Sequence, residues 1–320
     1  MNENKDPAIT NETSYEERKR HKELIERAND NSHAIPQGNS RNDYAELRRK
    51  IAEKIKELRN YTPKVGVFGV TGVGKSSLCN ALFGQPVAKI SDIVACTREP
   101  QEIFIGSSSG QGGISLIDVP GVGETGARDE EYFALYKSLV SELDLVIWVI
   151  KGDDRAYSIP EKVYKEILEP HKERCPVLFV INQVDKINPL CWDRDNNTPG
   201  KEQEKNIQLK ILEIAKTFDV PPSCIQTASA EEKYNLTAVM DAIVDIVPKE
   251  KKFAFTREAI ESVVTEKAAK AGEKGIWDTV KEMAGKAWDS VKDFATDVMI
   301  TTATKYVKKI RRNGQISCFF

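Results

Sequence analysis

Apolar residues along this chain switch between two spacings, and each switch marks an element. Tyr44, Leu47, Ile51, Ile55 and Leu58 recur every three or four positions, which predicts an amphipathic helix ended by Thr62-Pro63. Short apolar runs replace that period at 64–68, 101–105, 114–117, 176–181 and 224–226, and another reaches Trp148-Val149-Ile150. Runs of this length bounded by turn residues read as strands. The glycine- and serine-rich stretch 106–113 predicts a hairpin connection between two of them. Helical spacing returns in Trp277, Val280, Ala284, Ala287, Val291, Phe294 and Val298, a narrow seam on one long helix that Ile276, Met283, Trp288 and Ala295 widen. Ahead of all these, residues 1–39 are polar, with a charged, helix-like stretch near 14–28 and a turn-rich stretch at 29–40. Segment 188–201, with Trp192 among polar residues, is longer than most connections and reads equally as a contact surface or a disordered insert.

The first strand runs straight into Gly-Val-Thr-Gly-Val-Gly-Lys-Ser at 69–76, the spacing G-x-x-x-x-G-K-S. A strand feeding a glycine turn feeding a helix aims backbone N–H groups and a helix N-terminus at one anion, so this segment is expected to cradle the phosphates of a nucleotide. Gly69, Gly72 and Gly74 let the backbone wrap a phosphate without a Cβ in the way, with Thr71 and Val73 completing the loop. Lys75 brings a point charge to the β- and γ-phosphates. The Ser76 hydroxyl is the expected ligand of a bridging Mg²⁺, and Ser77 is expected near the α-phosphate.

Further segments follow in the order that a guanine-nucleotide site requires. In Ala-Cys-Thr-Arg at 95–98, Thr97 is expected to complete the Mg²⁺ shell when a γ-phosphate is present. In Asp-Val-Pro-Gly at 118–121, Asp118 is expected to hold a Mg²⁺-bound water and the Gly121 N–H to bond the γ-phosphate. Asn-Gln-Val-Asp at 182–185 and Thr-Ala-Ser-Ala at 227–230 complete the set, both at the ends of apolar runs.

With these five motifs the chain resembles the Ras-like GTPase superfamily over about residues 64–247. The resemblance implies an α/β fold, a Ras-like G domain with a mostly parallel six-stranded sheet and helices on both faces, plus flanking N- and C-terminal helices. It implies a GTPase that turns GTP into GDP and phosphate with Mg²⁺, using Lys75, Thr97 and Gly121 in catalysis and Asn182, Gln183, Asp185, Ser229 and Ala230 around the guanine. The Asp185 carboxylate would accept from the base N1–H and exocyclic amine, and the Ala230 N–H would donate to O6. Adenine leaves that carboxylate unpaired, so GTP should be preferred over ATP.

Two positions depart from the family pattern. Gln183 stands where a lysine stem normally covers the base, which predicts weaker affinity with the same base preference. Val122 follows Gly121 in place of the glutamine that orients the attacking water in Ras-type enzymes, leaving the backbone, Arg98, Glu124, Arg128 or a second molecule to do so. Gly72 also lies where potassium-using Era-type enzymes carry asparagine, which argues against that mechanism. Slow intrinsic hydrolysis, raised by self-association or a partner, is the expectation. Residues 148–158, together with Thr97-Arg98-Glu99-Pro100 and 182–186, resemble a bacterial group labelled 50S-ribosome-binding. That group is similar to Era in its G domain and to immunity-related GTPases in its flanking helices. Lys151, Asp153, Asp154 and Arg155 read either as a solvated loop or as a surface that meets a second G domain.

Composition adds the remaining bounds. The expected organisation is a polar segment at 1–39, an amphipathic helix at 40–60, the G domain at 61–248 and a helical region at 249–320. An apolar content of 40% can fill a substantial core, and no run approaches the roughly 18 residues of a membrane span. Without an apolar signal region at the start, a cytoplasmic location is expected, with peripheral membrane contact as an option. The six cysteines show no paired spacing, so reduced thiols are expected. Residues 249–320 hold 15 Lys+Arg against 10 Asp+Glu, in a chain whose net charge is −2. This region reads either as a bundle on 44–58 and 253–264, or as a surface for an anionic membrane or protein partner through Lys305, Lys308, Lys309, Arg311 and Arg312. Four roles follow: a conformational switch with G-domain homodimerisation, a self-assembling membrane-associated enzyme of the dynamin or immunity-related kind, and, ranked lower, a ribosome-assembly factor and then a non-hydrolysing nucleotide-binding module, told apart by single-turnover phosphate release from bound GTP.

Overall fold

The computed structural model describes residues 40–84, 101–105, 112–119 and 129–311. Expectations for residues 1–39, for Thr97, Arg98, Gly121, Glu124 and Arg128, and for Arg312 lie outside the described residues. The same holds for the side chains of Asp118, Lys305, Lys308, Lys309 and Arg311.

Helix α1 (Ser40–Asn60) leads into β1 (Lys64–Phe68) across Pro63, which cannot extend the helix. The strands β2 (Gln101–Ile105), β3 (Ile114–Asp118), β4 (Leu145–Lys151) and β5 (Val177–Asn182) follow. A short pair, β6 (Trp192–Asp193) and β7 (Thr198–Pro199), precedes the last strand, β8 (Ile225–Thr227). The main sheet has six strands in the order β2-β3-β1-β4-β5-β8. Every neighbouring pair is parallel except β2 with β3, whose antiparallel register runs from Gln101↔Asp118 to Ile105↔Ile114. This is the expected α/β architecture; β2 and β3 pair antiparallel, and residues 106–111 of their expected hairpin connection lie outside the described residues.

Helices cover both faces because the central strands are apolar at nearly every position, with Lys64, Lys151 and Asn182 at their ends. Along β4, Leu145, Ile147 and Val149 join one core and Val146, Trp148 and Ile150 the other. The first core is closed by Leu78 and Leu82 of α2 (Lys75–Phe83). The second takes Tyr136 and Val140 of α3 (Asp129–Val140), Val163 of α4 (Ser158–Val163), and Ile207, Ile214 and Phe218 of α5 (Lys201–Phe218). Back on the first face, Val239, Met240 and Ile243 of α6 (Leu236–Ile246) and Phe255 of α7 (Lys249–Glu258) complete the layer. An aromatic chain runs through the second core, with Phe68–Tyr136 and Phe179–Phe218 centroids each 4.8 Å apart and Trp148 within 6.1 Å of Phe179. Such pairs add about 0.5–1.5 kcal/mol each beyond the area they bury.

The chain divides into two compact units. The first, Leu58–Asp278, holds the sheet and extends past residue 248, since Phe255, Ala259, Val263 and Ala268 share the core of the first face. The second combines, among the described residues, 40–57 with 279–311. In it Ile51 and Ile55 of α1 and Val291, Ala295 and Val298 of α9 (Trp288–Arg311) are buried, and the Arg48 guanidinium lies 5.7 Å from the centroid of the Phe294 ring.

Two local expectations change. The seam from 277 to 298 lies on two helices, because α8 (Glu266–Ala284) stops at Gly285, whose φ of 53° is left-handed, and a short turn separates it from α9. Segment 188–201 is an ordered hairpin: β6 pairs with β7, the Asp193 carboxylate accepts from the Asp195 and Asn196 N–H groups at 3.0 and 3.1 Å, and the Gly200 N–H donates to the Cys191 carbonyl at 2.8 Å. Among the described residues no helix is long and apolar enough to cross a membrane.

Candidate functional site

Strand register brings the motif-bearing loops to one edge of the sheet. Val67 pairs with Asp118, Phe68 with Trp148, Lys151 with Asn182 and Ile181 with Thr227, so the segments after these strands emerge side by side. In open α/β sheets that edge is where ligands bind.

The loop after β1 has the backbone that a phosphate cradle needs. Gly69, Gly72 and Gly74 adopt φ of 140°, 84° and 86°, angles that side chains disfavour. Space forbids a side chain as well: a Cβ on Gly69 would lie 2.3 Å from the Val149 carbonyl oxygen, and one on Gly74 would lie 2.5 Å from Asn182 Nδ2. Val73 is buried, while Thr71 and Gly72 are exposed on the loop. Gly74 caps α2, and the Leu78 N–H donates to its carbonyl at 2.9 Å. The first-turn N–H groups of Lys75, Ser76 and Ser77 therefore precede the helical ladder and point outward along the axis. The Lys75 ammonium donates to the carbonyls of Gly69 at 3.0 Å and Val70 at 3.4 Å, so its charge sits over the loop. Ser76 is half-buried and Ser77 exposed. Asp118 is the last residue of β3, whereas Thr97 and Gly121 lie outside the described residues.

The segment after β5 is tied to this loop by two amides. Asn182, only 1% exposed, donates from Nδ2 to the Val73 carbonyl at 2.9 Å and accepts the Ala230 N–H on Oδ1 at 3.1 Å. It therefore joins the phosphate loop to the 227–230 segment. Here the Ala230 N–H expected to meet a base oxygen is engaged by Asn182. Gln183 stands at φ 60° and donates from Nε2 to the Gly72 carbonyl at 3.0 Å, bracing the phosphate loop from the other side. A non-glycine residue in that region stores about 1–3 kcal/mol of backbone strain, which the surrounding contacts must hold.

Asp185 stands out electrostatically. Its Oδ1 is buried with no hydrogen-bond partner, and an acceptor left in that state is costly unless a donor arrives from outside the chain. Ser229 is fully buried and its Oγ accepts the Glu232 N–H at 3.1 Å, which shapes the neighbouring turn. Outside, Lys186 pairs with Glu231 at 2.9 Å across the two segments. Their hydrogen bond raises the lysine pKa and holds the Glu231 carboxyl below its ordinary range.

Some supporting residues escape the motifs. Gln203, completely buried, donates from Nε2 toward the carbonyls of Ile187 at 2.9 Å, Asp185 at 3.0 Å and Val184 at 3.3 Å. Its sequence signal is a polar residue one helical turn before Ile207 on the buried seam Gln203, Ile207, Lys210, Ile214 and Phe218. Lys210 is buried too, donating to the Asp154 carbonyl and the Tyr157 hydroxyl and so pinning the loop after β4. In that loop Lys151 pairs with Asp153 at 3.1 Å, and Asp153 and Arg155 are exposed.

Chemically, the edge combines an amide-lined cradle for an anion, a cation above it and a buried acceptor suited to a ligand with adjacent N–H donors. The chain is also similar to known proteins. Residues 64–183 match the family described as 50S ribosome-binding GTPase. The uncharacterized protein YkfA of Escherichia coli (strain K12) is 41% identical over 203 residues, which cover 63% of this chain and 68% of that protein. GTPase Era of Aquifex aeolicus (strain VF5) is 29% identical over 176 residues, 52% of this chain and 53% of Era, so the match spans about half of Era's length. Among solved structures, Aquifex aeolicus Era bound to GDP·AlF4⁻ covers 58% of this chain and 57% of its own, at 26% identity and a TM-score of 0.44. On the family and sequence matches and the motifs, the chain is similar to Era and Der over its G domain and belongs to the P-loop GTPases, in the family described as 50S ribosome-binding GTPase.

Proposed function

We propose that the chain binds GTP with Mg²⁺, hydrolyses it to GDP and phosphate, and acts as a nucleotide-dependent switch whose turnover rises on self-association or with a partner. The observation that carries base selection is the buried Asp185 Oδ1 without a partner, beside a turn held in place by Asn182 and Gln203. Guanine offers its N1–H and exocyclic amine to that carboxylate, and adenine offers a lone pair instead. For this to include a bond from the Ala230 N–H to O6, that N–H must turn or be shared with Asn182 Oδ1.

The chemistry of the phosphate end follows from the same residues. First-turn amides of α2 and the Lys75 ammonium bear on the β- and γ-phosphates, neutralising charge as the bond to the leaving oxygen breaks. The pairing of Val67 with Asp118 supports a shared cation position, with Ser76 as a direct ligand and Asp118 acting through water. Mg²⁺ held by these residues would supply positive charge that stabilises the charge developing on the phosphate oxygens. Thr97 would complete its shell, and the Gly121 N–H would meet the γ-phosphate.

Calorimetry with GTP, GDP and ATP tests the base reading, with an expected preference for the guanine nucleotides of roughly 10⁴-fold. Equal retention of ATP would overturn it. Phosphate release from excess GTP is expected on the order of 10⁻⁴ to 10⁻² per second in dilute protein, and to accelerate as protein concentration rises. A specific activity constant over a wide concentration range, with no partner effect, would remove the self-association part. Gln183→Lys is expected to tighten GDP binding several-fold, since lysine restores, on the stem expected to cover the base, the charge that glutamine lacks. An unchanged dissociation constant would count against this assignment.

A second reading is a self-assembling, membrane-associated enzyme located at the periphery of a membrane. It is favoured by apolar side chains left exposed in the helical unit, Met283 at 39% and Ile300 at 49%. GTP-dependent co-sedimentation with anionic vesicles would support it, and its absence would leave the cytoplasmic switch. Ribosome assembly ranks below both because the excess positive charge of the chain is concentrated in residues 249–320.

A further inference from the structure

The hairpin of β6 and β7 and the start of α5 wrap the two segments that the proposed reading assigns to guanine. From one side, Gln203 donates to the carbonyls of Val184, Asp185 and Ile187, spanning the turn that carries the Asp185 carboxylate. From the other, Asn197 Nδ2 donates to the Glu232 carbonyl at 2.8 Å, while its Oδ1 accepts from Trp192 Nε1 at 3.2 Å. The Trp192 ring meets the Tyr234 ring edge-on, 5.1 Å between centroids at 85°. Tyr234 closes the 229–234 turn by exchanging backbone bonds with Ser229 at 2.9 and 3.3 Å. At the base of the hairpin, Asn206 Nδ2 donates to the Asn188 carbonyl at 2.7 Å and fastens it to α5.

We infer that residues 188–203 form a clamp on the base-recognition loops, and that Gln203 and Asn197 are positioning residues that set how long a guanine nucleotide stays bound. The inference rests on the reading of Asp185 and the 229–230 segment as base-recognising groups. Neither residue touches the base; each acts through backbone it holds. A base edge is read by hydrogen bonds only while donor and acceptor stay within a few tenths of an ångström of their places, so loosening either loop weakens guanine more than it weakens phosphate binding. The crest of the hairpin, Arg194, Asp195 and Asn196, is exposed, so the clamp is reachable from solvent.

The test is made on the full chain with Gln203→Met, which keeps the buried volume and removes the donor, and with Asn197→Ala. Release of a fluorescent GDP analogue is expected to be about tenfold faster in each, and the ratio of GDP to ADP affinity about tenfold smaller, the scale of one lost hydrogen bond. ADP affinity is expected to stay near its wild-type value. A lower melting temperature with release rate and affinity ratio unchanged would show a purely structural role and overturn the inference. If Gln203→Met fails to fold, Asn197→Ala on the half-buried hairpin decides by the same two readouts. Failure of the underlying reading is separately visible, because wild-type protein would then hold GDP and ADP alike before any substitution is made.

Discussion

Asp185→Asn is expected to lower GTP affinity by on the order of 10²- to 10⁴-fold and to make xanthosine triphosphate the better ligand. In the proposed reading the carboxylate would accept from two guanine donors, and each charge-assisted bond contributes about 1.5–3 kcal/mol. An asparagine keeps one acceptor for N1–H but turns an amide N–H toward the exocyclic amine, so two donors face each other. Xanthine carries a carbonyl at that carbon, and the same amide N–H then has an acceptor. Because Oδ1 of Asp185 has no partner within the chain, removing the charge is not expected to lower the melting temperature of the nucleotide-free protein. Calorimetry with the two triphosphates and a thermal melt check both halves. Parallel loss of GTP and xanthosine triphosphate binding would mean that the residue maintains the loop and does not read the base.

Lys75→Ala is expected to weaken GTP and GDP by at least about 10²-fold and to bring phosphate release to background. The ammonium contacts the Gly69 and Val70 carbonyls, so it also staples the loop on which the phosphates would lie. The two substitutions separate the ends of the ligand. Lys75→Ala should preserve the ratio of guanine to adenine affinity while lowering both, whereas Asp185→Asn should change the ratio. Measuring both ratios against wild type checks this division, and a Lys75→Ala protein that retained full GTP turnover would exclude the phosphate loop as the reacting site.

How much of this was legible in advance differs by element. The phosphate loop was readable residue by residue because its conformation is local: positive φ at 69, 72 and 74 asks for glycine wherever the loop occurs. The strands were readable because those buried on both faces are apolar along most of their length, as Val177–Asn182 is up to its final, buried Asn182. The seam after residue 277 misled, since apolar spacing continues across Gly285 and only the left-handed backbone there shows that one helix ends and another begins. The 188–201 stretch was ambiguous for another reason. Its two-residue strands carry no periodicity, and what orders them are contacts with residues about 30 to 40 positions away, such as Asn197 with Glu232 and Trp192 with Tyr234.

Residue types at short spacing thus determined, by themselves, that this chain has a glycine loop lined with amides and a lysine beside it, since each depends on a few consecutive residues, while the family resemblance pointed to Asp185 as the acid for a purine edge. Tertiary structure decided how those pieces are held together. Asn182 spans from Val73 to Ala230, Gln183 reaches Gly72, and Gln203 secures the turn of Asp185. These are hydrogen bonds between residues 18 to 111 positions apart, and nothing in a local pattern states which amide will meet which carbonyl once the strands align.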